Sequence, residues 1–248
     1  MTFSSRPKRF RSARLKVQRA NRHIDELNCV LSSIDVRRFY SIRLHGQFGG
    51  PSTVILEPEN PIPAHLPLMI GDAVHNLKSA LDHVYTEIVG NSVPKRARLM
   101  PFTEVQKDIT SGTRLDAVET VLAGSKKLIL NEVQPYPGGC GNLFGLHTLD
   151  KIDKHNELVV TVAGAILGTL LIRSESGLNL SFERCEFNAV HPTVLYSGPE
   201  HVTLDHNFEA SLSVSFDMAL PFGGEPVIPT LLKLADRVAE VIELFDAL

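Results

Sequence analysis

Apolar residues recur at steps of three and four along several stretches of the chain, the spacing of one helix face at about 100° per residue. Val17, Ala20, Ile24, Leu27, Leu31 and Ile34 mark an amphipathic helix over about residues 12–35. Ile70, Ala73, Val74, Leu77, Ala80, Leu81, Val84 and Ile88 mark a second over about 66–90, after a run broken by Pro58, Pro61, Pro63 and Pro67. A third helix is expected over about 113–133, ending near Pro135. A fourth is expected from about Leu143 to about 160, with Asn142 as its N-cap. Ile228, Leu231, Ala235, Val238, Ile242 and Phe245 define a terminal helix over about 228–248.

Between these helices the period shortens to two. Phe39–His45 and Ser52–Leu56, separated by Gly49-Gly50-Pro51, predict two antiparallel strands. Thr169–Ile172, Leu178–Phe182, Thr193–Tyr196 and the alternating Phe208–Phe216 predict an antiparallel sheet drawn mainly from about 168–217. The expected fold is α+β: a single domain over 1–248, with a helical core from about 12–35, 66–160 and 228–248 and a β-rich insertion at about 168–217.

The composition suits a globular chain, with 43% hydrophobic and 21% charged residues in 248. No apolar tract is long enough to span a bilayer and no apolar stretch follows the basic N-terminus, so a cytoplasmic protein without a membrane partner is expected. Cys29, Cys140 and Cys185 lack CxxC spacing and read as small buried hydrophobes, not as zinc ligands. Charge is segregated along the chain. Arg6, Lys8, Arg9, Arg11, Arg14, Lys16, Arg19 and Arg22 are eight basic residues with no acidic one among residues 1–24, although the net charge is −3. Such a segment meets either an acidic face of its own molecule or a polyanion such as RNA.

Two helical segments concentrate chemistry. In His75–His83, the residues His75, Lys78 and Asp82 fall along one polar edge of the second helix, while Asp72, Asn76 and His83 form the adjacent edge. In His147–His155, the residues His147, Asp150 and Lys154 share a face, and His155 points elsewhere. Three readings of these residues compete. His75, Asp82, His147 and Asp150 are candidate ligands for zinc, iron or manganese in a metal-dependent hydrolase or oxidase. Alternatively, no cofactor is needed: a histidine moves a proton, a lysine meets negative charge and an aspartate orients the ring, the chemistry of RNA backbone cleavage by its own 2′-hydroxyl. In the third reading the histidines satisfy buried polar groups in a protein that binds or supports structure without reacting.

The stretch Ile70–His83, with Glu132-Val-Gln-Pro-Tyr136 and Leu146–His155, resembles a group of uncharacterised bacterial proteins that share HNL(K/R)SALDH and LDxIDKH motifs, over roughly residues 66–160. More distantly, Lys78-Ser-Ala-Leu-Asp-His83 is similar to the Arg…His signature of HEPN domains, with Lys78 standing where that signature has Arg. HEPN domains are helical bundles that often dimerise, and many are metal-independent ribonucleases. The resemblance implies a homo-oligomer that binds or cleaves RNA. His83 and Lys78 would then be central and His75 and Asp82 supporting, with Asp150, Lys154 and His155 completing the cleft and the segment Arg6–Arg22 holding the nucleic acid.

Overall fold

The computed structural model describes residues 9–35, 38–46, 50–60, 63–105, 108–109, 113–155, 160–187 and 191–248. It is α+β, with six α-helices and two three-stranded antiparallel sheets among the described residues. The helices are α1 (Arg11–Ser33), α2 (His65–Val89), α3 (Thr113–Val121), α4 (Ser125–Leu128), α5 (Gly141–His155) and α6 (Val227–Asp246). The strands are β1 (Tyr40–Gly46), β2 (Ser52–Pro58), β3 (Val160–Ser174), β4 (Asn179–Phe187), β5 (Thr193–Gly198) and β6 (Val202–Phe216). No helix among the described residues is long and apolar enough to cross a membrane.

The chain gathers into two compact units. The first is built from Met1–Asp25, Pro67–Leu158 and Ile228–Leu248, and the second from Glu26–Leu66 and Val159–Val227. In the second unit the sheets have strand orders β1-β2-β5 and β4-β3-β6. β2 alternates as a half-buried strand should, with Ser52, Val54 and Leu56 buried. Ser52 Oγ accepts the Val202 amide at 3.3 Å, tying the edge of β6 to β2. The single sheet expected from 168–217 is thus replaced by two, because β5 pairs with the early hairpin and not with its sequence neighbours. The side chains of 206–213 lie outside the described residues, and with them most of the alternation read in Phe208–Phe216.

The helical stripes of the first unit are buried as spaced. Ala13, Val17, Ala20 and Ile24 line α1, with Phe10 buried just before it, and Ile70, Ala73, Val74, Leu77, Ala80, Leu81, Val84 and Ile88 line α2. Three boundaries differ from expectation. The helix expected over 113–133 is broken at Gly124, whose φ of 90° lies in the left-handed region, and its last turn, Ile129–Val133, widens to a π-helix before Gln134. The Glu119 carboxylate caps the restart by accepting the amides of Gly124 and Lys126 at 2.9 and 2.8 Å, and these bonds hold it below the usual carboxylate range. α5 begins at Gly141, and the Cys140 carbonyl accepts its first helical bond from Phe144 at 3.1 Å, so Cys140 and not Asn142 occupies the N-cap. By Val160 the chain is already a strand where helix was expected. The cysteine expectation also fails in part: Cys29 is exposed and Cys140 half-exposed, while the Cys185 side chain lies outside the described residues.

Candidate functional site

α2 and α5 run antiparallel along a shared seam that begins at Gly71. A Cβ there would overlap the Asp153 carboxylate, so the bare backbone is what admits that carboxylate against α2. One turn further along each helix, His75 Nδ1 donates to Asp150 Oδ1 at 2.9 Å. One more turn brings Lys78 and Asp82 within electrostatic reach of His147. Steps of three and four on both helices keep these pairs on one line.

Asp150 is the hinge of the first cluster. Its side chain is only 3% exposed, yet it binds a half-exposed group on either side: His75, 46% exposed, through Oδ1 and Lys154, 47% exposed, through Oδ2 at 2.5 Å. A carboxylate accepts only, so the Nδ1 proton sits between His75 and Asp150, and in the neutral ring Nε2 carries the lone pair. Ser79 Oγ lies 3.4 Å from that Nε2. Asp153 completes the surroundings. Its carboxyl titrates above the usual range, first because of burial and next because of the Asp150 charge, with Asp72 adding to the effect and His75 and Lys154 opposing it.

The second cluster is more enclosed. Lys78 Nζ lies 2.6 Å from both Asp82 oxygens with its side chain 6% exposed, and Asp82 Oδ1 also accepts the Met100 amide at 3.0 Å. The ammonium sits 5.5 Å from the centre of the Phe102 ring, which in turn stacks on His147 at 4.5 Å and 10°. His147 Nδ1 is buried without a hydrogen-bond partner among the described residues. Burial, and after it the Lys78 charge, push the His147 imidazole below its ordinary value, against the pull of Asp150, Asp82 and Glu104.

His83 belongs to a third neighbourhood. Its Nδ1 lies 2.7 Å from Ser12 Oγ of α1, and burial followed by the charge of Lys16 depresses its pKa, with Asp82 and Glu87 opposing. Lys78 and His83 therefore face different neighbours, as five residues at about 100° each require. Asn76, read as lying on a polar edge, is buried under α1, taking a bond from Lys16 at 3.1 Å and donating to the Asp72 carbonyl at 2.7 Å. His155 is exposed at the end of α5. The structure brings His75, Asp150 and Lys154 together and Lys78, Asp82 and His147 together. Among the described residues no group of three or more His, Cys, Asp or Glu is arranged to hold a metal ion.

Gly71, Ser79 and Phe102 are not among the residues the sequence singles out, and Asp153 stands in the second motif without a role. Ser79 was legible in principle, since it follows His75 by one helical turn. Phe102 was not, because it arrives from a loop and nothing local marks its partner.

The basic segment is also divided. Arg14 is spent on the molecule itself, bound to Glu243 and, at 2.8 Å, to Asp246, which raises its pKa. Arg11, Arg19 and Arg22 remain exposed on α1, and Arg6 and Lys8 lie outside the described residues. Comparison with protein-family models, with curated proteins and with solved structures finds no match to this chain.

Proposed function

We propose that the protein is a metal-independent acid–base catalyst acting on RNA, with His75 as the proton-transfer group, Asp150 as the residue that orients it and Lys154 as the positive charge beside it. The observation that carries this reading is the 2.9 Å bond from a half-exposed imidazole to a buried carboxylate on another helix. That bond orients the ring, and in the neutral imidazole it leaves Nε2 as the nitrogen that can take a proton. Attack by a 2′-hydroxyl on the neighbouring phosphorus would pass its proton to Nε2 and expel the 5′-oxygen, which takes a proton from water, and the hydroxide so formed takes the proton from Nε2. Lys154 would meet the charge that gathers on the phosphate.

The likeness to HEPN domains supplies the substrate class, and the exposed Arg11, Arg19 and Arg22 supply a surface for a polyanion. Within this reading the base moves from His83 to His75, because His83 is engaged with Ser12 and stands apart from Lys78. Lys78 and Asp82 become a buried pair that holds α2 to the Met100 loop.

The test is cleavage of single-stranded and hairpin RNA by the purified protein in the presence of a chelator. His75→Ala is expected to abolish cleavage with its melting temperature little changed, while His83→Ala retains most of the activity. Intact RNA with the parent protein, or equal cleavage by His75→Ala, would overturn the reading.

A further inference from the structure

We infer that Ser79 is a nucleophile and that the Asp150–His75–Ser79 line takes carboxylic esters with good leaving groups. The inference rests on His75 acting as a base, as proposed above, but not on RNA as the substrate.

The two ring nitrogens of His75 are divided between two partners, Asp150 Oδ1 at 2.9 Å on Nδ1 and Ser79 Oγ at 3.4 Å on Nε2. This is the division of roles that nucleophilic catalysis by a hydroxyl needs: an acceptor-only carboxylate sets the tautomer, and the free lone pair faces the hydroxyl it is to deprotonate. The order of burial suits the roles. Asp150 is enclosed and held by two bonds, whereas His75 is half-exposed and Ser79 half-buried, so the reactive end of the line opens to a reagent. The spacing between Oγ and Nε2 is long for a hydrogen bond, and such contacts tighten when a substrate fills the site.

The chemistry balances with these groups and water. Ser79 Oγ bonds to the carbonyl carbon of the ester as its proton passes to Nε2. The carbon–oxygen bond to the leaving group then breaks and that oxygen takes the proton from Nε2. Water next attacks the acyl-serine, gives its proton to Nε2, and the acid departs as Ser79 recovers the proton. Ser79 lies in the interior of α2, where backbone amides are bonded within the helix, so no amide pair is free to cradle the oxyanion. Among the described residues, the cation held on the same carboxylate is the Lys154 ammonium. One flexible cation is a weaker cradle than two fixed amides, so acylation by activated esters outpaces release and the serine accumulates as its acyl form.

A fluorophosphonate reagent and p-nitrophenyl acetate serve as probes on the full chain. The expected result is an adduct mapped to Ser79 and a burst of about one p-nitrophenolate per chain. Ser79→Ala should remove both without loss of fold, since alanine favours the helix and the hydroxyl makes one long contact among the described residues. Labelling in His75→Gln should fall by at least about tenfold. Asp150 acts through His75, so its test has a second readout: Asp150→Asn should slow labelling and also erase the low-field proton resonance of the Nδ1–H bond. An adduct elsewhere, no adduct, or labelling of Ser79 that is indifferent to His75→Gln overturns the inference, and if RNA is still cleaved the ribonuclease proposal survives it. An adduct on Ser79 that depends on His75, with RNA left intact, sustains the nucleophile and retires RNA as the substrate.

Discussion

Asp150 and Asp82 are both carboxylates joined to a lysine one turn away, and their surroundings give them different costs of removal. Asp150 has half-exposed partners that water can take over, so Asp150→Ala is expected to cost about 1–3 kcal/mol in chemical denaturation. Asp82 neutralises an ammonium that is 6% exposed, so Asp82→Ala strands a buried charge and should cost about 3–5 kcal/mol. Lys78→Met removes that charge and keeps the bulk, and it should cost clearly less than Asp82→Ala. The reverse order would show that Lys78 is not buried in solution.

The histidines add a pH dependence. Burial holds His147 and His83 below the 6.5 of a free imidazole, so the unfolded chain takes up protons first as pH falls. Their contribution to stability is therefore present above pH 6.5 and declines as pH drops through and below that value. Asp153 runs the other way. Its carboxyl is raised above 3.8, so the folded chain binds that proton first and folding is favoured as pH falls from the folded value toward 3.8. Denaturant midpoints measured from above pH 7 down to about 5 should fall for the parent and flatten in a His83→Gln, His147→Gln double variant.

Among the elements, the α2–α5 seam depends on the missing side chain at Gly71. Gly71→Ala would gain helix propensity of about 1 kcal/mol, yet its Cβ would collide with the Asp153 carboxylate and force it off the seam. The two changes should therefore couple, with Gly71→Ala tolerated better in an Asp153→Ala background than alone, by about 1 kcal/mol in a double-mutant cycle. Additive effects would place Asp153 away from Gly71. At Gly124 any Cβ meets a left-handed backbone, so Gly124→Ala should cost about 1–2 kcal/mol. The same glycine explains why one helix was expected where two occur. The apolar spacing over 113–133 stays helical through the break, and only the backbone conformation at Gly124 separates α3 from α4.

For the molecule as a whole, the segregation of charge has two outcomes at once. Arg14 is drawn inward to Glu243 and Asp246, while Arg11, Arg19 and Arg22 stay on the surface. If that surface holds RNA, replacing the three by Gln should weaken binding and lower the dependence on salt by about 0.7 in logarithmic slope for each phosphate no longer neutralised. An unchanged slope would leave them as solvated charges. The amino-acid sequence by itself determined the helical stripes of α1, α2 and α6, the α+β class and the residues rich in chemistry, because a period of 3.6 or 2 is a property of local backbone geometry and needs no distant partner. The partners were decided by tertiary structure alone. His75 and Asp150 are 75 residues apart and His83 and Ser12 are 71 apart, and no local period says which helix will lie beside which. That choice follows from how whole apolar faces and one glycine-lined seam fit together, and it is what joins His75 to Asp150 and seats His83 against Ser12.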